Sequence, residues 1–253
     1  MWVEDRQERI IAMLCEYEKI SVREMAARLH VSEATVRRDL NALHARGIVR
    51  KVHGGAVVNS GTADREIPFL LRENERSLAK AEIGRVAAEL VEDGLVVMLD
   101  GSTSAYHLVP YLAEKKDLIV VTSGAKTAVS LAEANIRTFS TGGQMRIHSF
   151  SYIGADAEEF VRKFNADILF FSCHGLDLDG SMSERSIDEA SLRRVMISRA
   201  KKRILLCDQS KIGKQYFYNM GTLGEVDECI SDGRLPDGLR AMLRGTAECK
   251  SQK

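Results

Sequence analysis

The residues of this chain with the clearest capacity for chemistry lie in the run SEATVRRDLNALHARGIVRKVHGGAVV, which spans Ser32 to Val58. Arg37 and Arg38 carry planar guanidinium groups, and Asn41 follows them with an amide. Arginine can bond guanine through two N–H groups, asparagine can do the same to adenine, and the small Ala34 permits close approach. This combination is suited to reading base edges in the major groove of DNA.

A helix must hold these side chains on one face, and the surrounding residues predict one. Val36, Leu40 and Leu43 recur at helical spacing and would form one buried stripe. Ser32 is a suitable N-cap, because its hydroxyl can accept a hydrogen bond from a first-turn amide, and Gly47 provides the end. The polar residues then point away from the stripe. Because an isolated pair of arginines more often belongs to a solvated face, the neighbouring elements decide between the two interpretations.

Two further helices and a short hairpin are predicted beside this helix. Apolar residues at helical spacing predict a helix from Asp5 to Tyr17, and Ser21 with Glu24 forms a capping box before a helix from Val22 to Leu29. Two short helices joined by a tight turn form a helix-turn-helix. Residues 48–58 predict two strands joined by a His-Gly-Gly turn. The N-terminal part is therefore predicted to be an α+β winged helix-turn-helix.

We expect the outward helix face and the hairpin to contact double-stranded DNA. The candidate contacts are Ser32, Ala34, Thr35, Arg37, Arg38 and Asn41 on the helix, and Arg50, Lys51 and His53 on the hairpin. Local charge agrees with this expectation, because residues 32–58 contain five Lys and Arg against two Asp and Glu, whereas the whole chain has 36 of each.

A second group of polar residues lies in glycine-rich loops of the longer C-terminal part. From residue 95 onward, apolar runs such as LVVML and LIVVT alternate with helical patterns, which predicts a mainly parallel sheet with helices on both faces. Ligands of such sheets bind at the carboxyl ends of the strands, where helix N-termini can hold anions. The loop residues expected to form a shared pocket are Asp100, Gly101, Ser102, Thr103, Ser104, Thr122, Ser123, Gly142, Gly143 and Lys211.

Length and composition fit a globular protein of one to two domains, with 253 residues, 45% of them hydrophobic and 28% charged. A polar run at residues 59–64 marks a boundary, so we expect a DNA-binding domain over 1–58, a linker over 59–74 and an α/β domain over 75–253. The five cysteines show no CxxC spacing, and neither a signal peptide nor a membrane-length apolar run is evident. We expect a cytoplasmic protein that holds no metal or cofactor.

The segment from Ser32 to Val58 resembles the N-terminal signature of the DeoR-type bacterial transcriptional regulators. The capped helix, Arg-Arg-Asp-Leu, the glycine stop and the His-Gly-Gly wing occur in the family's order and spacing. This resemblance implies that Thr35, Arg37 and Arg38 contact DNA. Asp39 lies beside the buried stripe and is interpreted as an internal partner for an arginine. His53 is more often a structural residue of the wing than a base reader.

The C-terminal part also resembles this family, whose sensor domain is similar in fold to ribose-5-phosphate isomerase and binds phosphorylated sugars or related metabolites. The resemblance is carried by Asp100-Gly-Ser-Thr-Ser104, Thr141-Gly142-Gly143, Gly175-Leu176-Asp177, Glu189-Ala190 and Ser210-Lys211.

Two loops of the C-terminal part depart from the family pattern. His174 stands where related sequences have the acid of a Gly-Ala-Asp-Gly-like run, and Thr122-Ser123-Gly124 replaces a Thr-Asn-Ser. His174 could donate a hydrogen bond to a ligand phosphate or hydroxyl, or be satisfied within its own loop. The identity of the ligand therefore stays open.

Three functions are compatible with these features. The leading hypothesis is a DNA-binding regulator that represses a carbohydrate-metabolism operon and leaves the operator when a phosphorylated sugar binds. We expect a homodimer or homotetramer, because two-fold proteins match two-fold DNA sites. The alternative is a sugar-phosphate isomerase-like enzyme with a DNA-binding appendage, for which Asp100, Asp177, Glu184 and Lys211 could move a proton and polarise a carbonyl. The third is a constitutive architectural DNA binder whose α/β part serves only for assembly.

Overall fold

The computed structural model describes residues 3–17, 19–45, 47–52, 54–58 and 68–244. The chain divides into two compact units, Met1–Ser77 and Leu78–Lys253. Among the described residues, no helix is both long enough and apolar enough to cross a membrane.

The N-terminal unit is built on three helices, namely α1 (Val3–Tyr17), α2 (Val22–Leu29) and α3 (Glu33–Ala45). The apolar stripe of α3 is buried, and it packs with apolar side chains of α1 and α2 in one core. Helix α2 begins after Ser21, whose hydroxyl accepts a hydrogen bond from the amide of Glu24 at 3.1 Å. It ends at His30, which adopts a left-handed conformation with φ of 54° and turns the chain towards α3. The predicted helix-turn-helix is confirmed.

A three-stranded antiparallel sheet completes this unit and forms the wing. Its strands are β1 (Lys19–Ser21), β2 (Val49–Val52) and β3 (Gly55–Val58), in the order β1-β3-β2. Gly55 lies directly against β1, where a Cβ atom would come within 2.4 Å of the Ile20 carbonyl oxygen. The second glycine of the His-Gly-Gly run is therefore required by this close approach. Strand β1 was not anticipated, because three residues carry too little pattern.

A short helix, α4 (Phe69–Asn74), lies in the segment expected to be a linker. It packs on α1, and Leu71 is part of the core of the N-terminal unit. Phe69 is also buried. Two buried apolar residues in a six-residue helix explain why this stretch is ordered structure and not a polar connection.

The C-terminal unit is an α/β domain. Its elements in chain order are α5 (Ser77–Ala88), β4 (Val96–Leu99), α6 (Thr103–Tyr106), α7 (Val109–Leu112), β5 (Ile119–Thr122), α8 (Ala125–Glu133), β6 (Arg137–Ser140), β7 (Gln144–Met145), β8 (Tyr152–Ile153), α9 (Ala155–Arg162), β9 (Ala166–Phe171), β10 (Gly175–Leu176), β11 (Ser181–Glu184), α10 (Ile187–Ser198), β12 (Ala200–Leu206), β13 (Tyr218–Thr222), β14 (Glu228–Ile230) and α11 (Asp237–Arg240). Single 3-10 turns follow β12 and β13.

Six of these strands form one parallel sheet in the order β14-β12-β9-β4-β5-β6. Successive side chains along a strand point to opposite faces, and both faces are covered. In β4, for example, Met98 packs into a core that includes residues of α9 and α10, whereas Val97 and Leu99 pack into a core that includes residues of α5, α7 and α8. The predicted mainly parallel sheet with helices on both faces is confirmed.

The structure differs from the sequence-based expectation in two places. The helical pattern between LVVML and LIVVT does not form one helix but is split into α6 and α7, because Pro110 has no amide hydrogen and its ring would clash with the carbonyl of Tyr106. Two small antiparallel arrangements were also not anticipated. They are the hairpin of β7 and β8 and the sheet β10-β11-β13, whose strands are two to five residues long.

Candidate functional site

The outward face of α3 presents the predicted polar residues to solvent. Ala34, Arg37, Arg38 and Asn41 are exposed, whereas Val36 and the rest of the apolar stripe are buried. The open face of α3 therefore carries one small side chain and three that can hydrogen-bond, which are types that can read base edges in a major groove.

The cap of α3 is formed by the predicted serine. The hydroxyl of Ser32 accepts a hydrogen bond from the amide of Thr35 at 3.2 Å, and the two hydroxyls lie 2.9 Å apart. The Ser32 hydroxyl therefore has a structural role that fixes the start of the helix.

The polar groups on the face of α3 and the wing differ in their partners. Arg37 forms an ion pair with Glu33 at 3.0 Å, and Lys51 of β2 donates a hydrogen bond to the Asn41 amide oxygen at 2.7 Å. Arg38 and Arg50 make no hydrogen bond or ion pair with any part of the chain that the structure describes. Arg38 and Arg50 are thus exposed cations without a partner in the described part of the chain, whereas Asn41 and Lys51 are hydrogen-bonded to each other.

The wing places two of its three candidate contacts on β2. Arg50 and Lys51 are exposed on this strand, which pairs with β3. His53 lies outside the described residues.

A buried ion pair fixes α3 to α1. The Arg6 guanidinium donates to both carboxylate oxygens of Asp39, at 2.5 Å from Nε and 3.1 Å from Nη2. Only 8% of the Arg6 side chain and 3% of the Asp39 side chain are exposed. The hydrogen bond to Asp39 raises the pKa of Arg6. The interpretation of Asp39 as an internal partner for an arginine is confirmed, and Arg6 is that arginine.

In the C-terminal unit, Asp100 organises the loops at the ends of β4 and β9. One carboxylate oxygen accepts from the amide and the hydroxyl of Ser102, at 3.1 and 2.6 Å. The other accepts from the amide of Ser172 at 3.0 Å and from Nε of Arg193 at 2.7 Å. Gly101 lies where a Cβ atom would come within 2.6 Å of a side-chain atom of Ser151. The Asp-Gly-Ser sequence is therefore needed to shape this loop.

A buried cation lies among several carboxylates behind the loop. Arg193 of α10 bonds Asp100 and also donates to Glu184 at 2.5 Å. Burial lowers the pKa of Arg193, but the nearby Glu184, Asp100 and Glu189 carboxylates raise it by more, so the guanidinium stays charged. Glu184 also accepts from the backbone amide of His174 at 3.1 Å and from the His174 Nδ1 nitrogen.

Lys211 connects the ends of three neighbouring strands. Its ammonium donates to the Ser172 hydroxyl at 2.7 Å and to the Ser104 hydroxyl at 3.3 Å, and lies 3.6 Å from the Asp208 carboxylate. Burial raises the pKa of Asp208, but Lys211 and the Ser210 hydroxyl lower it by more, so it is held below its usual range. The structure thus brings Ser104 and Lys211 together.

A small cleft with a cavity volume of about 10 Å³ opens at the ends of β4 and β5. It is lined by Asp100, Gly101, Ser123, Ser151, Tyr152, Glu189, Leu192, Arg193 and Met196. The Ser151 hydroxyl donates to Glu189 at 2.5 Å and lies 2.8 Å from the Ser149 hydroxyl, while Arg146 lies 3.8 Å from Glu189. Residues of the β7–β8 hairpin therefore form one wall of the cleft.

Four of the expected effector residues, Thr103, Thr122, Gly142 and Gly143, do not line the cleft. Thr122 is buried and accepts the amide of Gly124 at 3.1 Å, and Thr103 is buried at the start of α6. Gly142 and Gly143 have positive φ angles of 63° and 95°. They form a tight turn beside β8 and are not among the residues that line the cleft.

Five residues of the site were not among the expected effector contacts, namely Ser151, Ser172, Glu184, Glu189 and Arg193. Arg193 follows Glu189 by four residues, which places both on one face of a helix. That spacing was the signal that could have located them together. Among the residues that the structure describes, no group of three or more His, Cys, Asp or Glu side chains is arranged to hold a metal ion.

Two family models match the chain. The DeoR-like helix-turn-helix domain matches residues 6–62, and the DeoR C terminal sensor domain matches residues 75–233. Among solved structures, a D-ribose-5-phosphate isomerase in complex with phospho-erythronic acid is 15% identical with a TM-score of 0.41, over 53% of this chain and 52% of that one.

Three similar proteins are named as transcriptional regulators. The HTH-type transcriptional regulator GlpR of Haloferax volcanii is 31% identical over 91% of this chain and 90% of its own length. The L-fucose operon activator of Haemophilus influenzae is 30% identical over 93% of this chain and 94% of its own. The transcriptional repressor AccR of Agrobacterium fabrum is 31% identical over 97% of this chain and 94% of its own length. The chain belongs to the DeoR family of DNA-binding transcriptional regulators, with an N-terminal helix-turn-helix domain and a C-terminal sensor domain, and is not an enzyme.

Proposed function

We propose that this regulator represses an operon of carbohydrate metabolism, and that a phosphorylated sugar bound in the C-terminal unit controls its affinity for the operator. The observation that carries the proposal is the cluster of Lys211 with the Ser104 and Ser172 hydroxyls at adjoining strand ends. An ammonium beside two hydroxyls suits a phosphate group, and the nearby carboxylates suit the hydroxyl groups of a sugar.

The residues that line the cleft suit a polar ligand of this kind, but the volume of the cleft is too small for one. Glu189 and Arg193 face it together with the Ser123 and Ser151 side chains. Its cavity volume of about 10 Å³ is far below the roughly 300 Å³ at which ordinary ligand pockets begin. We therefore expect the β7–β8 hairpin to shift when a sugar phosphate enters.

In this proposal α3 reads the bases of the operator and the wing contacts its phosphates. Arg38 is exposed and unengaged within the described chain, so it is the leading candidate for bidentate contact with a guanine. The other proposed contacts are Ser32, Ala34, Thr35, Arg37, Asn41, Arg50, Lys51 and His53.

We further propose that the protein binds as a homodimer or homotetramer to a repeated or palindromic operator, because two-fold proteins match two-fold half-sites. Sedimentation of the protein with and without operator DNA measures this directly. A monomer that binds a single half-site with full affinity would contradict it.

The test of the sensor proposal is a thermal-shift screen with pentose and hexose phosphates, each compared with its unphosphorylated sugar. A ligand at 100 times its Kd should stabilise the unit that binds it by about 2.7 kcal/mol. The hits are then titrated into an operator complex, where release indicates a repressor and tightening an activator. If no sugar phosphate changes either melting or operator affinity, the constitutive DNA binder becomes the better explanation.

A further inference from the structure

His174 has one ring nitrogen engaged and the other buried without a partner. Nδ1 bonds the Glu184 carboxylate, whereas Nε2 is buried and has no hydrogen-bond partner within the part of the chain that the structure describes. We propose that Nε2 of His174 accepts a hydrogen bond from a hydroxyl group of the effector and thereby contributes to the choice of sugar. This inference rests on the proposed function and names one contact within that site.

The partner of Nδ1 determines which nitrogen carries the proton. A carboxylate can only accept, so the ring must donate through Nδ1, and in the neutral imidazole Nε2 then carries a lone pair. Glu184 is itself fixed, because it is fully buried and also bonds the His174 amide and Arg193. The fixed Glu184 carboxylate therefore stabilises the His174 tautomer that carries its proton on Nδ1.

The ring is also held in position by its other neighbours. The Tyr216 ring packs edge-on against the imidazole, with 5.9 Å between centroids and an interplanar angle of 73°. Only 15% of the His174 side chain is exposed. Two residues earlier, Ser172 bonds Lys211, so this loop reaches the proposed phosphate group of the ligand.

A buried acceptor without a partner is uncommon in folded proteins and calls for an explanation. A hydroxyl donor explains it better than a phosphate, since phosphate oxygens are themselves acceptors. The Glu184 carboxylate on the same ring further disfavours an anion, and Lys211 offers the phosphate a better position. The imidazole thus offers the effector an acceptor at Nε2 and not a donor.

The proton position is measured by long-range ¹H–¹⁵N spectra of the full-length protein, in which the six histidines give separable ring signals. His174→Phe identifies the signals of His174 by their loss. We expect the Nδ1–H form in the unaltered protein and a redistribution between the two forms in Glu184→Gln. An Nε2–H form or an imidazolium in the unaltered protein at neutral pH would overturn the inference.

The contact itself is measured with the sugar phosphates that act in the thermal-shift screen and with their single-deoxy analogues. The unaltered protein should bind one deoxy analogue at least about ten times more weakly than its parent, because a missing hydroxyl leaves a buried polar group unpaired. His174→Phe should bind the parent about ten times more weakly and should no longer distinguish the two. His174→Gln, which offers a carbonyl acceptor, should restore part of the discrimination, and the exposed His44→Phe in the N-terminal unit should bind these sugars as the unaltered protein does.

The outcomes separate this inference from the function on which it rests. If a sugar phosphate acts and His174→Phe still discriminates like the unaltered protein, only the His174 contact is wrong. If no sugar phosphate acts on the unaltered protein, the proposed function and this inference fail together.

Discussion

Replacing Asp39 by alanine is expected to destabilise the N-terminal unit and to weaken operator binding without removing any exposed DNA contact. The change leaves the Arg6 guanidinium buried without its two hydrogen bonds. Because this pair is a buried polar connection between α1 and α3, its loss also allows the helix that carries Arg37 and Arg38 to change its orientation.

The magnitude follows from the burial of the pair. Breaking a deeply buried ion pair by removing one partner costs about 3–5 kcal/mol. Because 8% of the Arg6 side chain is exposed, water can solvate the guanidinium in part, and we expect about 2–3 kcal/mol, below the range for a deeply buried pair. A unit of this size has a total stability of roughly 4–12 kcal/mol, at about 0.05–0.15 kcal/mol per residue.

Hydrogen exchange measured by mass spectrometry on the full chain gives the local value. Amides of α3 should exchange faster in Asp39→Ala by the factor that corresponds to about 2–3 kcal/mol, or roughly 30- to 150-fold. Glu33→Ala is the matched control on the same helix, since it removes only the exposed pair with Arg37 and should cost under about 1 kcal/mol. Equal exchange rates in Asp39→Ala and Glu33→Ala would refute the reasoning.

Four further changes test other parts of the structure. Arg38→Ala should cost about 1–3 kcal/mol at one base pair and relax specificity there, whereas Lys51→Ala should weaken all DNA alike and reduce the salt slope by about 1; operator titrations at several salt concentrations measure both. Gly101→Ala should destabilise the C-terminal unit by about 1–3 kcal/mol in thermal melts, because the new methyl group overlaps the hairpin. Lys211 lowers the pKa of Asp208 from its usual value near 3.8. The ionised carboxylate should therefore stabilise the C-terminal unit at pH values above 3.8, and this contribution should be lost as the pH falls through the lowered pKa. Asp208→Asn should flatten this dependence of the free energy of unfolding on pH.

These four predictions have clear contrary outcomes. Unchanged base preference in Arg38→Ala would remove it from the base-reading set, and sequence-dependent losses in Lys51→Ala would make it a base reader. Gly238→Ala is the control for Gly101→Ala, since a Cβ there meets no atom within 4 Å. If both glycine variants melt alike, the proposed overlap is wrong. Identical acid unfolding of Asp208→Asn and the unaltered protein would show that this carboxylate contributes nothing.

The elements that sequence reasoning located well are those whose determinants are local. The bounds of α2 were predicted to the residue, because a capping box marks its start and the chain turns at His30. The strands β4 and β5 were found because both of their faces are buried, which leaves the continuous apolar runs LVVML and LIVVT. Asp39 was placed inside because it interrupts the polar face of α3 beside the buried stripe.

What sequence reasoning missed depends on contacts between distant residues. Arg6 precedes Asp39 by 33 positions, and no local pattern selects it from the other arginines of the unit. Arg193 was overlooked because a buried cation contradicts the apolar pattern of a buried helix face, and only the carboxylates of Asp100 and Glu184 make its position stable. The strands β7, β8 and β10 are two residues long, too short for any periodicity.

The unequal pairing of polar groups on α3 and the wing has a consequence for how this surface searches DNA. Arg38 and Arg50 are unengaged within the described chain, so both are ready for a first encounter with any phosphate backbone. Arg37 and Asn41 must first exchange Glu33 and Lys51 for groups on the DNA, and the exposed helical ion pair of Arg37 with Glu33 opposes its exchange by only about 0.2–0.5 kcal/mol. We expect a first encounter that Arg38 and Arg50 can make at once, followed by base reading in which Arg37 and Asn41 give up their partners and join Arg38 at the site.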